Sequence, residues 1–568
     1  MKYNYYTLLA FLAGFLIFSC GYAYAQTLPT PADPSRFDDR FNRPLSTPET
    51  PTIKPKEETP LSQKIPFAIE GEGFLLNKIS LEGNTVISED DLAFLFKDYI
   101  GQSAIFDTLQ HLTASITKYY RERGYFLAKA LLPEQEINNG ELRIRIIEGY
   151  IDSVIIKDPE NRLTAQDDMT TKALIKKIKD LKPLHGPSLE RYILLFNQSS
   201  HLFVSSTLAA SKSEKAGAID LILTFDQNPS KIHFGINNHG SKFVGPGQIE
   251  ASYTTGNIFS LFDTLTLQTT FSSPLEEVQY AHISYETLLS ADGLKLLTSF
   301  SYSNSEPGEN LKPLEVESDS YTINAELSYP YIKSRRTNID FTGGFTIRNS
   351  ATEFLDSELI DDKVRKITAG ISYNGQDDYN GINTVDFTLH QGLNILEESK
   401  TGASTLSRAQ GRSDFTKATL TSSRFQHLPY HLSLISILNA QYSSTPLLSS
   451  EEFGYGGAEI GRAYDPSEIT GDHGFSTSIE LRYNNIPPLN NKISFIPHLF
   501  YDLGKVWNRD TNSSPRSAAS AGFGSYYQID QYVSGNITIA YPLTKQVATP
   551  VHGGTTGPRF LFSLNTDF

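Results

Sequence analysis

Cysteine, tryptophan and methionine are nearly missing from this chain of 568 residues, which has one Cys, one Trp and two Met. A single cysteine excludes an internal disulfide framework and a cysteine-ligated zinc site. Basic residues are in deficit, with 49 Lys and Arg against 64 Asp and Glu, which argues against a nucleic-acid binder because such proteins need cations to neutralise phosphates. After the first two dozen residues, no apolar run approaches the roughly 18 residues that a membrane helix needs.

Motifs of nucleotide-driven and hydrolytic enzymes are absent as well, since the chain has no P-loop, G-x-S-x-G or H-E-x-x-H element. The 12 His are scattered, and His473 beside Asp472 is more simply a polar loop group than a catalytic base. We therefore predict no enzymatic activity, no cofactor and no metal site. Aromatic residues are in excess, with 30 Tyr and 34 Phe. Such side chains collect at membrane interfaces, although a mean hydropathy of −0.29 is typical of a soluble protein.

The N-terminal residues have the three parts of a secretory signal peptide. Lys2 precedes an apolar stretch over 8–18, and Ala23-Tyr24-Ala25 supplies the small residues of a cleavage site. This pattern predicts a signal peptide over residues 1–25. The alternative is a lipoprotein signal with Cys20 acylated, which the bulky Phe18 disfavours.

Residues 26–70 form a proline-rich linker, because nine prolines between Gln26 and Pro66 are too many for a packed unit. Within it, Phe37 and Phe41 are spaced i, i+4 and could share one helical face. This stretch is either a disordered spacer or a short plug or docking helix.

Residues 71–149 and 150–228 form one α+β module that occurs twice in tandem. In the first copy the pattern predicts a strand ending at Gly83-Asn84, a helix that Ser88 opens, a second helix from Asp107, and two strands over 125–132 and 141–147. The same β-α-α-β-β order returns from Ile151. Such modules are either spacers or capture an extended peptide at an uncovered sheet edge, and we favour capture.

Residues 229–568 show the period-2 alternation of β-strands, which predicts an all-β, 16-stranded antiparallel transmembrane β-barrel. The strands start near residues 231, 248, 264, 278, 293, 320, 336, 364, 382, 415, 431, 474, 491, 518, 532 and 558. Connections are mostly short on one side (257–263, 331–335, 485–490) and include long ones on the other (303–319, 394–414, 443–473). This asymmetry, with the short turns periplasmic, is typical of outer-membrane barrels. A soluble all-β domain is the less favoured alternative.

Several motifs in this order resemble the two-partner secretion transporters of the outer membrane, the haemolysin secretion/activation (ShlB/FhaC/HecB) branch of the Omp85 superfamily. The C-terminal Phe568 is similar to the assembly signal of outer-membrane barrels. The repeated modules resemble POTRA domains, small periplasmic units that bind partner chains. The matching stretches are 120–135 in the first module, 189–195 in the second, the loop segments 449–453, 456–457, 461–464 and 471–474, and the F-x-D-x-G strand motif over 500–504.

The resemblance implies a transport lock between a loop and the barrel wall. Alternation directs Phe500, Asp502 and Gly504 into the lumen, and the loop over 443–473 could fold inward so that Arg462 and Asp502 form a bidentate pair. From the residues alone the favoured interpretation is that Arg462 is a solvated loop charge and Asp502 one polar lumen residue among many; the resemblance favours the pair. Tyr464 belongs to the same motif. Ala463 replaces the usual glycine, which would be strained if that position needed a positive φ.

The resemblance also implies an exporter of an unfolded exoprotein with an N-terminal secretion domain, a β-helical adhesin or hemolysin. Its POTRA domains lie in the periplasm of a Gram-negative bacterium, and its barrel lies among the lipids of the outer membrane. The partner-binding region would include Tyr125, Leu189, Glu190 and Arg191. The alternatives are a factor that assembles other outer-membrane proteins, which two modules and a proline-rich leader disfavour, and a passive porin, which leaves the modules without a role.

Overall fold

The computed structural model describes residues 30–41, 73–158, 168–213, 215–355, 357–489, 492–509, 514–551 and 554–568. The predicted signal peptide over 1–25 and most of the predicted linker lie outside these residues. From the linker, two 3₁₀ turns, Thr30–Ala32 and Pro34–Arg36, run into a short helix α1, Phe37–Phe41. None of the described helices is long and apolar enough to cross a membrane.

Module 1, residues 73–149, has a three-stranded sheet under two helices. Its elements are β1 Phe74–Leu75, β2 Lys78–Glu82, α2 Glu89–Phe96, β3 Ser103–Ala104, α3 Phe106–Glu122, β4 Lys129–Leu131 and β5 Glu141–Ile147. The Ser88 side chain caps α2 by accepting a hydrogen bond from the Asp91 N–H, as predicted. The strand predicted over 125–132 is shorter, because the Tyr125 N–H bonds to the Tyr120 carbonyl and not to a neighbouring strand.

Module 2, residues 150–228, repeats this order with β6 Tyr150–Lys157, α4 Met169–Lys179, α5 Gly186–Phe196, β7 Leu202–Ala210 and β8 Ala218–Gln227. Its sheet order is β6-β8-β7, so β7 is an edge strand. The Asp168 side chain caps α4. The core of the module continues into the barrel, because Phe196 and Phe225 belong to one buried cluster with Leu261, Phe262 and Leu288 of the first two barrel turns.

Sixteen antiparallel strands form one closed barrel, which confirms the predicted architecture. In chain order, with two short strands (β20, β21) in the connection after β19, they are β9 Lys231–Asn237, β10 Gly247–Gly256, β11 Thr264–Ser273, β12 Gln279–Leu288, β13 Lys295–Ser305, β14 Val316–Lys333, β15 Thr337–Phe354, β16 Ser357–Gln376, β17 Gly381–Gly392, β18 Thr416–Leu428, β19 Leu432–Ser443, β20 Phe453–Tyr455, β21 Ile469–Gly471, β22 His473–Tyr483, β23 Ile493–Trp507, β24 Arg516–Ile529, β25 Val533–Pro542 and β26 Arg559–Asp567. Pairing of β26 with β9 closes the barrel.

Burial alternates along the strands and defines two faces. On β23, Phe500 and Asp502 are buried while Leu499 and Tyr501 are exposed. The exposed side chains are mostly apolar or aromatic and form the outer surface, whereas the buried ones are largely polar and face the lumen. A lumen with so many buried polar groups must be filled by something that hydrogen-bonds to them.

Candidate functional site in the barrel lumen

The connection between β19 and β22 folds back into the barrel. Its strands β20 and β21 pair as a small hairpin, and Tyr455, Ala463 and Tyr464 share a buried cluster with wall residues that include Phe500 and Val506. We call residues 444–472 the lumen loop. Because the loop is built into the packed interior, its polar groups depend on the barrel wall for hydrogen-bond partners.

Arg462 of the lumen loop is 6% exposed and points at the wall formed by β22 and β23. Its Nη1 donates to Glu480 Oε2 at 2.6 Å and its Nη2 to Ser478 Oγ at 3.0 Å. The guanidinium carbon also lies 3.9 Å from the centroid of the Phe500 ring, within cation–π range. One arginine therefore joins the loop to two neighbouring strands.

Asp502 is fully buried and holds the loop backbone rather than the arginine side chain. Its carboxylate accepts from the N–H groups of Gly461 and Arg462 at 3.0 and 3.1 Å, and from Ser478 Oγ at 2.7 Å. The nearest approach of the guanidinium is 3.5 Å, from Arg462 Nε. The predicted bidentate pair is therefore wrong in its geometry, because Glu480 takes the guanidinium's closest contact.

Glu480 was missed from the sequence, although a signal existed. It has lumen parity on β22, and the register places Ser478 opposite Asp502 and Glu480 opposite Phe500. Only the register of β22 against β23 brings the two carboxylates to one place, and alternation within a single strand does not supply it.

Gly504 lies where the lumen loop comes so close to the wall that a side chain would not fit. A Cβ at this position would lie 2.1 Å from Cδ2 of Tyr455, so the glycine of the F-x-D-x-G motif accommodates an aromatic ring of the loop. Phe500 has a similar counterpart, since a Cβ on Gly522 would lie 2.6 Å from its Cζ. The motif residues thus form the part of the wall against which the loop packs.

Tyr464 and Ala463 complete the loop tip. The Tyr464 hydroxyl lies 3.0 Å from the carbonyl oxygens of both Ala519 and Lys545, and Arg559 of the last strand donates to the Tyr464 carbonyl. Gly461 has a φ of 82°, whereas Ala463 is not among the non-glycine residues with positive φ. The strain expected at Ala463 is therefore absent, because the left-handed position is at Gly461.

The α1 segment, residues 30–41, also lies inside the barrel, against the lumen loop and the wall. Phe37 is buried in a cluster with Phe243, Val278 and Tyr280. Arg36 donates to the carbonyls of Ser449 and Glu452 at 2.6 and 3.1 Å. These contacts link the segment to both elements that surround it.

Arg40 and Asp39 attach the other face of the α1 segment to the wall. Arg40 Nη2 donates to the His239 carbonyl at 3.0 Å and to Gln248 Oε1 at 3.2 Å. Asp39 Oδ1 accepts from Arg348 Nη2 at 3.2 Å. The segment is thus held by polar and charged contacts in addition to the apolar cluster around Phe37.

The structure gives the predicted partner-binding residues contacts within the chain. Tyr125 of module 1 lies against His185 of module 2, with ring centroids 5.4 Å apart, and Leu189 is buried in the core of module 2. Glu190 accepts from the Arg335 N–H at 3.2 Å, and Arg191 donates to carbonyls of the turn after β12 and the end of β14. These residues therefore form joints, module 1 to module 2 and module 2 to barrel, because they lie on the surfaces where one body meets the next.

Comparison with known proteins gives consistent matches across the chain. The family model for haemolysin secretion/activation protein ShlB/FhaC/HecB matches residues 217–527, more than half of the sequence, and the ShlB-type POTRA domain matches residues 74–149. Heme/hemopexin transporter protein HuxB of Haemophilus influenzae is 24% identical over 524 residues, covering 89% of this chain and 88% of the relative. Outer membrane transporter CdiB of Dickeya dadantii is 23% identical over 498 residues, 84% of each chain.

Solved structures share the fold. CdiB from Escherichia coli aligns with a TM-score of 0.73 at 19% identity, covering 94% of this chain and 95% of that one. CdiB from Acinetobacter baumannii aligns with a TM-score of 0.61 at 17% identity over the whole of both chains. Both alignments extend over nearly the full length of this chain.

Proposed function

The chain belongs to the haemolysin secretion/activation (ShlB/FhaC/HecB) family of outer-membrane two-partner secretion transporters, and from that premise we propose how its parts divide the export of an exoprotein. The barrel lies in the outer membrane and modules 1 and 2, its POTRA domains, lie in the periplasm. The exported partner is a secreted exoprotein. We infer that it enters unfolded and carries an N-terminal secretion domain, as a β-helical adhesin or hemolysin would.

The observation that carries the proposal is how the lumen is filled. A closed barrel of sixteen strands leaves an interior too wide for its own side chains to fill. Among the described residues, two separable pieces lie in it, the lumen loop and the α1 segment, and neither is a barrel strand. A pore closed by removable pieces suits a transporter that opens on demand better than a passive porin.

We assign different roles to the two pieces. Arg462, Asp502 and Phe500 attach the lumen loop through buried hydrogen bonds and an aromatic contact, while Tyr464 and Gly504 set its tip and base. The α1 segment is short, and apart from the packing of Ala32 and Phe37 it is attached by hydrogen bonds and ion pairs to polar groups. The loop is therefore the fixed lock, and the α1 segment is the piece that leaves when another chain passes.

Partner capture belongs to the modules. The edge strand β7 of module 2 exposes Phe203 and Leu208, and an open edge accepts an extended chain through main-chain hydrogen bonds. Capture of this kind needs no nucleotide and no enzymatic step, and we propose none. Folding of the exoprotein outside the cell would supply the direction of transport. Assembly of other outer-membrane proteins is the less favoured role for the same modules.

Export by a lock variant tests the proposal. The chain is produced together with its exoprotein partner, and the exoprotein is measured in the medium and on the cell surface. Arg462→Gln should lower export at least tenfold while the barrel still inserts. Lys505→Gln, on the exposed face of the same wall, is the matched control and should export normally.

The outcome that contradicts the lock is export by Arg462→Gln at the level of the parent. Loss of many outer-membrane proteins on depletion of the chain, without loss of one exoprotein in particular, would favour the assembly role instead.

A further inference from the structure

A cluster of three cations, two buried and one partly exposed, lies on the lumen face where the α1 segment meets the wall. The cluster consists of Arg348 on β15, Lys366 on β16 and Lys417 on β18. All three contact one carboxylate of the lumen loop, Glu451, which is 1% exposed. The Nζ atoms of Lys366 and Lys417 lie 2.8 and 2.7 Å from its oxygens, and Arg348 Nη1 lies 3.6 Å away.

One loop carboxylate cannot neutralise three cations, and the α1 segment supplies the remaining charges. Asp39 Oδ1 and Asp38 Oδ2 lie 3.2 and 3.8 Å from Arg348 Nη2. The Tyr280 hydroxyl also donates to Asp38 Oδ1 at 3.0 Å. Among the described residues, three cations thus meet three carboxylates, of which two belong to a segment that is not part of the barrel.

Withdrawal of the α1 segment would leave the cluster with an excess of two positive charges facing the pore. Buried charges without partners are costly, so the emptied site must attract anions. Lysine is a point charge that accepts carboxylates in many geometries, and arginine adds directed donors. A site of this composition binds acidic side chains with little demand on the surrounding sequence.

We propose that Arg348, Lys366 and Lys417, with the Tyr280 hydroxyl, form a binding site for acidic segments of the exported chain, which Asp38 and Asp39 occupy at rest. The inference rests on the proposed export function. The resting occupant also indicates a preferred ligand, because its two carboxylates are flanked by Phe37 and Phe41. The Phe41 ring lies 5.0 Å from that of Tyr280, so an aromatic residue beside the acidic pair has a surface to pack on.

The experiment measures ion current through the full-length protein in planar bilayers. The α1 segment is weakened by four substitutions, Arg36→Ala, Asp38→Asn, Asp39→Asn and Arg40→Ala, which remove the charged contacts of these four side chains and leave the wall intact; we call this protein the released variant. The probe is the capped pentapeptide Phe-Asp-Asp-Arg-Phe, compared with its Asn-Asn counterpart. We expect the released variant to conduct, and the acidic peptide to block it at a concentration at least tenfold lower than the neutral one.

Wall substitutions then test the site itself. Arg348→Gln or Lys366→Gln, added to the released variant, should raise the blocking concentration of the acidic peptide about tenfold and leave that of the neutral peptide unchanged. Lys295→Gln is the matched control, since Lys295 pairs with Glu286 and lies at the opposite end of β13 from Ser303, which contacts the α1 segment. Heat-modifiable migration on gels verifies that each barrel is folded.

Equal block by both peptides, or block that Arg348→Gln and Lys366→Gln do not change, would overturn the inference. A released variant that stays closed would overturn it as well, because the carboxylates would then not govern occupancy of the site. Export separates this failure from that of the proposed function. If the released variant still exports the exoprotein while the peptide results are negative, export stands and the acidic site does not.

Discussion

Glu480, rather than Asp502, should be the main energetic partner of the Arg462 side chain. The hydrogen bond from Arg462 Nη1 to Glu480 is 2.6 Å long and buried at both ends. The approach to Asp502 is 3.5 Å, and the Asp502 oxygens already accept from two loop N–H groups and two serine hydroxyls. Glu480 has other donors too, but they bind Oε1, whereas Arg462 donates to Oε2. Removing the guanidinium therefore costs Glu480 a short hydrogen bond and costs Asp502 a longer electrostatic contact.

Double-mutant cycles give the magnitudes. A hydrogen bond to a charged group contributes about 1.5–3 kcal/mol, and contacting residues couple by about 0.5–3 kcal/mol. We expect about 2–3 kcal/mol between Arg462→Met and Glu480→Gln, and about 1 kcal/mol or less between Arg462→Met and Asp502→Asn. Asparagine keeps an oxygen that can accept from the Gly461 and Arg462 N–H groups, so the second cycle isolates the charge.

The assay is reversible urea unfolding in lipid vesicles followed by tryptophan fluorescence. Trp507 is the one tryptophan of the chain and lies on β23, stacked 5.6 Å from His473, so it reports on the wall that carries the site. A coupling of Arg462 to Asp502 equal to or larger than that to Glu480 would refute this reasoning.

Three further predictions concern the lock and the joints. Gly504→Ala should lower the free energy of unfolding by about 1–3 kcal/mol, and the melting temperature with it, because the added Cβ overpacks Tyr455. Gly343→Ala, whose Cβ would meet nothing closer than 4.0 Å, is the control and should leave the melting temperature unchanged. Burial at the joint of module 2 with the barrel lowers the pKa of His201 below its usual 6.5. As the pH is lowered, the imidazole of the unfolded chain takes up a proton before that of the folded chain does. The contribution of His201 to the free energy of unfolding should therefore be complete above about pH 6.5 and decrease below it. Urea titrations at several pH values should show this decrease in the parent and not in His201→Gln. Glu190→Arg should increase protease cleavage at this joint, because it places two cations where Glu190 and Arg335 now pair. Adding Arg335→Glu restores an oppositely charged pair and should restore protection. The pair is exposed, so its contribution to the stability of the joint should be about 0.2–1 kcal/mol.

Strand positions could be predicted because a membrane barrel has one repeating constraint. Outward side chains must be apolar and inward ones polar, so alternation along β23 is enough to predict the facing of Phe500, Asp502 and Gly504. The register between neighbouring strands was harder to predict than their positions, because it depends on contacts between residues that are distant in sequence. Glu480 was missed for that reason.

The joints could not be predicted for a related reason. Leu189, Glu190 and Arg191 form a recognisable helix motif, and the sequence does not say which surface that helix meets. The structure places it against the turn after β12 and the end of β14, where Arg191 donates to the Asp292 and Tyr331 carbonyls. A motif thus identifies a functional surface more readily than it identifies the partner of that surface.

The chemistry of each contact separates the fixed parts of the molecule from the movable one. Module 2 joins the barrel through a shared apolar core that includes Phe196, Phe225 and Phe262, and separation would expose that surface to water at a cost of roughly 25 cal/mol per Å². The α1 segment buries fewer apolar side chains, chiefly Ala32 and Phe37, and is otherwise held by hydrogen bonds and ion pairs, whose net contribution is small because water or another chain replaces them. An incoming acidic segment can therefore exchange with the α1 segment at the cationic cluster, one contact at a time, while module 2 stays attached to the barrel.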